Sequence, residues 1–119
     1  MCHVLIIEDE ALIALSIEMT LERAGATSFD IVATEADAIA AARAQRPALI
    51  ASDVRLVQGT GPRAVEAILR EGGQLPVIFM TATPEECVPC DPPGVVLTKP
   101  VSDERLTLTF RDLVGGLVG

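Results

Sequence analysis

The sequence predicts an α/β protein in which helices cover both faces of a parallel β-sheet. Short unbroken apolar runs recur along the chain, and segments bounded by helix-terminating residues separate them. Unbroken apolar runs are typical of parallel strands that are buried on both faces. The strand–helix alternation repeats five times within 119 residues, a length that suits one compact domain. We therefore expect a single domain over residues 1–119.

Five apolar runs give the predicted strands. The runs are rich in valine, isoleucine and leucine, and polar, glycine or proline residues bound them. The predicted strands cover residues 3–8, Phe29–Ala33, Leu49–Ser52, Val77–Met80 and Val95–Thr98. In an open parallel sheet, ligands bind beyond the carboxyl ends of the strands.

Capping and terminating residues give the predicted helices. Gly25 is typical of a helix C-cap, Pro62 suits the first turn of a helix, and Ser102 suits an N-cap. The predicted helices cover Glu10–Ala24, Ala36–Gln45, Pro62–Glu71 and a segment that begins after Pro100.

The connection between the fourth and fifth strands has no helical pattern. It contains four prolines, at positions 84, 89, 92 and 93. Proline removes a backbone donor and clashes with the preceding turn, so a regular helix cannot run through this stretch. We expect the fourth helix to be short or irregular, with at best one turn near Pro84–Val88.

Composition and charge exclude several classes of partner. The net charge is −8 and the sequence pI is about 4.5, which argues against binding to nucleic acid or an anionic membrane. The three phenylalanines, with no tryptophan or tyrosine, offer little stacking surface for bases. No apolar segment approaches the roughly 20 residues that span a bilayer, and the first residues lack a signal-peptide pattern. Three irregularly spaced cysteines imply no disulfide framework, so we expect a cytoplasmic protein.

Polar residues follow four of the predicted strands at the point where each strand ends. Glu8-Asp9 and Asp53 supply three carboxylates, Thr81 supplies a hydroxyl, and Lys99 supplies an ammonium. If the first and third strands are neighbours, their ends lie about 5 Å apart, and three carboxylates that close repel one another unless a cation joins them. Oxygen ligands suit Mg²⁺, and an aspartate can act as a nucleophile that forms an acyl phosphate.

Five motifs in order resemble the receiver domain of two-component response regulators. They are Glu8-Asp9, Asp53 within Ser52–Leu56, Gly59-x-Gly61-Pro62, Thr81-Ala82 and Lys99-Pro100. The resemblance covers nearly the whole chain. It implies a flavodoxin-like fold with sheet order 2-1-3-4-5, which places the first and third strands side by side, and a cis Lys99–Pro100 bond.

The resemblance also implies a role for each matching residue. Asp53 would be the phosphoacceptor. Mg²⁺ would be bound by Glu8, Asp9, Asp53 and the backbone carbonyl of Arg55. The phosphoryl group would be bound by Thr81, Ala82 and Lys99.

The switch of the family is altered in this sequence. Receivers usually carry a rotating aromatic three residues before the lysine, and Val96 stands there. Thr81 and Val96 occupy the switch positions. We expect phosphorylation to change the order of residues 82–94 rather than to shift a fourth helix.

The first helix carries two apolar stripes. Ile13, Ile17, Leu21 and Ala24 are expected to pack on the sheet. A second stripe of Leu12, Leu15 and Met19 is either part of a broadly buried helix or an exposed docking patch. The resemblance implies docking of a histidine kinase or a histidine phosphotransfer protein near this helix, together with an output partner and, as an alternative, a homodimer.

Two rival functions remain open at this point. One is a degenerate receiver that serves only as an interaction module, favoured by Val96 and the proline-rich connection. The other is a haloacid-dehalogenase-type phosphatase, which needs a second aspartate where Arg55 stands. We expect no enzyme activity beyond the protein's own phosphorylation and dephosphorylation. After the last helix only residues 115–119 remain, so we expect a stand-alone or excised receiver.

Two further features of the sequence allow more than one interpretation. Cys87 and Cys90 form a C-x-x-C that suits a redox pair, half a zinc site with Cys2 and His3, or small apolar loop residues. We favour the last. Arg55 is either solvated or paired with Glu8 or Asp9.

Overall fold

The computed structural model describes residues 2–88, 90 and 92–118. The strands are β1 His3–Ile7, β2 Ser28–Val32, β3 Leu49–Asp53, β4 Val77–Thr81 and β5 Val95–Thr98. The helices are α1 Ala11–Ala24, α2 Glu35–Ala44, α3 Gly61–Gly72 and α4 Asp103–Val118, and a single 3₁₀ turn covers Pro84–Glu86.

The five strands form one parallel sheet in the order β2-β1-β3-β4-β5, as predicted. Ile7 pairs with Ser52 and Asp53 pairs with Met80, so the ends of β1, β3 and β4 are level. This register brings the residues that follow these strands to one edge of the sheet. No helix in the described part of the chain is long and apolar enough to cross a membrane.

The expected helix signals act at their predicted positions. The hydroxyl of Ser102 accepts a hydrogen bond from the Arg105 N–H at 3.0 Å, which caps α4. Gly25 ends α1 with φ +124°, a conformation that glycine adopts without steric cost. Thr60, which was not singled out from the sequence, caps α3 through the Arg63 N–H.

Two apolar layers cover the faces of the sheet. One lies under α1 and α4 and includes Ile17, Leu21 and Phe110. The other lies under α2 and α3 and extends to Phe79 and to the connection after β4. Each face of the sheet is therefore buried, as the unbroken apolar runs predicted.

Several boundaries of the helices and strands differ from the prediction, most of them by one residue. β1 ends at Ile7 because Glu8 turns out of the strand, although its N–H still donates to the Val32 carbonyl. β2 begins one residue early at Ser28 because this residue pairs with His3. β3 runs to Asp53 and β4 to Thr81, one residue beyond the predicted ends. α4 continues through Gly115 to Val118.

The connection between β4 and β5 contains one 3₁₀ turn, which confirms the short fourth helix. The expectation of unlinked cysteines is wrong, because Cys87 and Cys90 form a disulfide with their Cα atoms 5.4 Å apart. Pro89 and Asp91 lie outside the described residues.

Candidate functional site

Three carboxylates meet at the carboxyl edge of the sheet. Glu8 and Asp9 follow β1, and Asp53 is the last residue of β3. Their ligand atoms all lie within 4.8 Å of one another, as expected from neighbouring strand ends. Three anions this close favour a cation among them.

Lys99 places an ammonium beside these carboxylates. Its Nζ lies 3.2 Å from Asp53 Oδ1 and 3.8 Å from Glu8 Oε1. The residue follows β5, its N–H donates to the Thr81 carbonyl, and the Lys99–Pro100 bond is cis. One lysine therefore offsets part of the charge of two acids.

Backbone N–H groups orient all three carboxylates, among them those of Asp53 and Asp9. Asp53 Oδ1 accepts a hydrogen bond from the Val54 N–H at 2.8 Å. Asp9 Oδ2 accepts one from the Val57 N–H at 2.8 Å, which ties the β1–α1 loop to the β3–α3 loop. Donation from backbone N–H groups holds carboxylates in fixed positions without a second side chain.

Glu8 is the most enclosed of the three acids. Its side chain is 1% exposed, and its Oε2 accepts from the Glu10 N–H at 3.1 Å. Its Oε1 has no hydrogen-bond partner within residues 2–88, 90 and 92–118. Burial, joined by the negative charge of Asp53, raises the pKa of Glu8 to about 7, against the opposing effects of the Glu10 N–H and Lys99. A buried carboxylate oxygen without a donor fits a cation ligand.

We expect the raised pKa of Glu8 to make the metal-free protein less stable as pH increases from about 4.5 to about 7. Over that range the folded state binds the Glu8 proton more tightly than the unfolded state, so stability is highest below 4.5 and falls through 7. Glu8→Gln should remove this part of the slope. Urea unfolding in a chelating buffer across the range measures it, with the exposed Glu10→Gln as control. If wild type and Glu8→Gln have parallel pH profiles, the pKa of Glu8 is not raised.

Thr81 and Ala82 border the open side of the cluster. A cavity of about 430 Å³ opens there, and its lining includes Asp9, Asp53, Arg55, Thr81, Ala82 and Lys99. Thr81 is buried, and its Oγ1 accepts a hydrogen bond from the Thr83 N–H at 3.1 Å. Its hydroxyl proton can therefore be donated to a ligand in this cavity.

Arg55 pairs with neither Glu8 nor Asp9. Its guanidinium forms an ion pair with Glu86, in the 3₁₀ turn after β4. The pairing of Arg55 with Glu86 could not be predicted from the sequence, because the two residues are 31 positions apart and no local pattern relates them. The contact between Asp9 and Val57 was missed for the same reason.

The second stripe of α1 is exposed. Leu12 is 82% exposed, and Leu15 and Met19 are about half exposed. Leu12 also borders a groove of about 520 Å³ between α1 and α4, with a lining that includes Ser16, Ile17, Met80, Lys99 and Val101. This apolar surface is continuous with the acidic site through Lys99.

Val96 lies beside Phe79 in the register of β4 and β5 and is partly buried against the same core layer. A branched aliphatic side chain here has no ring to rotate between the core and solvent. The neighbouring Phe79 is fully buried.

Comparison with known proteins identifies similar sequences and folds. A model of the response regulator receiver domain family matches residues 4–111. The chain is 37% identical over 102 residues to the phyllosphere-induced regulator PhyR of Methylorubrum extorquens, covering 82% of this chain and 38% of that protein. It is 32% identical to the probable transcriptional regulatory protein TcrX of Mycobacterium tuberculosis, covering 93% of this chain and 49% of that protein. The chain thus spans less than half the length of either relative.

A solved structure extends this similarity to the fold. The solution NMR structure of the Erythrobacter litoralis PhyR receiver domain matches with a TM-score of 0.85 and 33% identity, over 96% of this chain and 90% of that one. Similarity over nearly the whole of both chains covers all five strands and the loops that carry the acidic site.

Proposed function

The chain belongs to the response regulator receiver domains of two-component signalling, and on that basis we propose that it accepts a phosphoryl group on Asp53 with Mg²⁺ bound. The donor is a histidine kinase or a histidine phosphotransfer protein. The observation that carries the proposal is the contact of Lys99 Nζ with Asp53 Oδ1 inside the carboxylate cluster.

The proposed transfer uses Asp53 as the nucleophile. One carboxylate oxygen supplies the electron pair for the new O–P bond while the P–N bond to the donor imidazole breaks. The imidazole leaves with that electron pair and takes up a proton from solvent. Lys99 and the Thr81 hydroxyl lie where they can bind oxygens of the transferred group, and the N–H of Ala82 is a further donor.

The residues around Asp53 fit a magnesium site. Glu8, Asp9 and Asp53 would supply oxygen ligands, Glu8 Oε1 has no hydrogen-bond partner among the described residues, and the Arg55 carbonyl would add a neutral ligand. Mg²⁺, when bound, offsets the repulsion between these acids and the incoming phosphoryl oxygens. The intact acids and Lys99 favour phosphoacceptance over a role as an interaction module alone.

The exposed apolar surface on α1 suits the phosphodonor. Leu12 borders the groove that reaches Lys99, and Leu15 and Met19 continue the exposed apolar stripe along α1. A partner helix packed on this stripe would hold a histidine close to Asp53. We further propose that the protein acts in the cytoplasm, either in signalling to an output partner or as a phosphate sink. We propose no enzyme activity beyond its own phosphorylation and dephosphorylation.

Acetyl phosphate, which donates a phosphoryl group without a partner protein, tests the function. We expect Mg²⁺-dependent addition of one phosphoryl group that hydroxylamine removes, as it does from acyl phosphates. Asp9→Asn should raise the Mg²⁺ concentration for half-maximal phosphorylation on the order of tenfold, because it removes one anionic ligand. Asparagine retains an oxygen that can accept from the Val57 N–H.

Glu10→Gln is the matched control, because it removes the same charge one residue away from the cluster. It should change the Mg²⁺ requirement much less than Asp9→Asn. Phosphorylation that is unaffected by a chelator would contradict the magnesium site. Equal effects of Asp9→Asn and Glu10→Gln on the Mg²⁺ requirement would mean that Asp9 acts only through its negative charge and is not a ligand.

A further inference from the structure

The connection after β4 contains a disulfide. Cys87 and Cys90 are three residues apart, and their Cα distance of 5.4 Å lies within the range that a disulfide bridges without moving the backbone. Cys2, in contrast, is a free thiol at the opposite end of the chain. The bond closes a short ring in the segment that replaces the fourth helix.

The disulfide packs where a helix would cover the sheet. Cys87 is 7% exposed and Cys90 is 2% exposed, and both belong to the core layer that contains Phe79 and Val77. The Gly94 N–H donates to the Cys90 carbonyl at 2.7 Å, which leads the chain into β5. Among the described residues of this connection one 3₁₀ turn accompanies the disulfide, which is one of the constraints on the chain here.

Hydrogen bonds join the disulfide to the 3₁₀ turn. The Cys87 N–H donates to the Pro84 carbonyl at 3.1 Å, and the Glu86 N–H donates to the Thr83 carbonyl at 3.0 Å. A change in the position of Cys87 therefore moves Glu86, its neighbour in sequence.

The 3₁₀ turn and the residue before it contact two parts of the acidic site. Glu86 forms the ion pair with Arg55, and Arg55 lines the cavity beside Asp53. The Thr83 N–H donates to Thr81 Oγ1, and the two hydroxyl oxygens are 3.4 Å apart. The connection thus holds both Arg55 and the Thr81 hydroxyl.

We propose that Cys87 and Cys90 form a reversible thiol–disulfide site that controls how readily Asp53 is phosphorylated. The coupling, though not the redox site itself, rests on the proposed function. In the oxidised protein the connection is held, Glu86 stays on Arg55, and the Thr81 hydroxyl stays with Thr83. Reduction releases the connection, so Thr81 turns more readily toward a phosphoryl group on Asp53.

The reaction is exchange with a dithiol reductant of the oxidoreductase class. A thiolate of the reductant attacks the sulfur of Cys87, the more exposed of the two residues, and the Cys87–Cys90 bond breaks with its electron pair on Cys90, which takes up a proton. The second reductant thiolate attacks the mixed disulfide and releases Cys87, which is protonated. Two electrons and two protons pass to the protein, and the reductant becomes a disulfide.

Thiol counting tests the redox site without any reference to phosphorylation. Alkylation under denaturing conditions, read by mass, should label one cysteine in the oxidised protein and three after treatment with a dithiol, because Cys2 is a built-in reference. Replacing the reductant with an excess of its disulfide form, which takes back two electrons and two protons, should return the count to one. Three labels under every oxidising condition, or one label after dithiol treatment, would overturn the redox site.

Phosphorylation by acetyl phosphate tests the coupling. Reduction should increase the rate at least about fivefold, the lower end of ordinary coupling between two sites. Cys87→Ser/Cys90→Ser should match the reduced protein in both conditions, whereas Cys2→Ser should keep the full redox effect. Amide exchange at Glu86 and Cys87 should quicken on reduction, since their N–H groups hold the turn.

Equal phosphorylation rates in the two redox forms would overturn the coupling. If neither form is phosphorylated, the proposed function fails and the coupling fails with it, while the thiol count still decides the redox site.

Discussion

Asp53→Asn should abolish phosphorylation by acetyl phosphate. The substitution keeps the size of the side chain and an oxygen that can accept from the Val54 N–H, but it removes the nucleophilic carboxylate. Asp53 is the acid that Lys99 contacts most closely, at 3.2 Å, and it lies at the end of β3, opposite Glu8 and Asp9. Incorporation of hydroxylamine-sensitive phosphate measures the effect.

Asp112→Asn supplies the control for this loss. Asp112 is an exposed acid on α4, so its replacement removes the same charge without touching the site. It should be phosphorylated like the wild type. Equal incorporation in Asp53→Asn and wild type would show that another residue accepts the phosphoryl group.

Gly61→Ala should destabilise the fold by about 3 kcal/mol or more, the upper range for overpacking. A Cβ at Gly61 would lie 1.9 Å from the Asp53 carbonyl oxygen and 2.3 Å from Ser52 Oγ. The Gly61 N–H also donates to the Val54 carbonyl at 2.9 Å, so the start of α3 cannot move away without losing a hydrogen bond. Urea unfolding measures the change in the free energy of unfolding.

Gly115→Ala is the same substitution in open space. Apart from its chain neighbours and the backbone of its own helix, no atom of the described residues lies within 4 Å of a Cβ at Gly115, which is exposed within α4. Alanine should therefore leave the free energy of unfolding unchanged or raise it by up to about 1 kcal/mol. A Gly61→Ala protein as stable as wild type would mean that α3 does not press against the end of β3.

The acidic cluster could be predicted from the sequence because each member directly follows an apolar run. Strand direction and sheet order then determine where Glu8, Asp9 and Asp53 lie. The ends of neighbouring strands are expected about 5 Å apart, and the carboxylate oxygens that follow them lie within 4.8 Å of one another. Boundary errors of one residue did not alter this result, because Glu8 leaves β1 at the same edge.

The contacts that surround the cluster could not be predicted. The pairs Arg55–Glu86 and Asp9–Val57 join loops that are far apart in sequence, and their geometry depends on how each loop turns. The disulfide was not favoured from the sequence, because the spacing of two cysteines does not give the distance between them across a proline-rich connection. The raised pKa of Glu8 depends on burial, which spacing alone does not give.

Chemical trapping of the phosphorylated residue tests the central claim most directly. Borohydride reduces an aspartyl phosphate to homoserine, so treatment of the protein after reaction with acetyl phosphate and Mg²⁺ marks the acceptor. Peptide sequencing by mass should find homoserine at position 53, and no such product without acetyl phosphate. Homoserine at Asp9 or at any other aspartate, with Asp53 unchanged, would contradict the account.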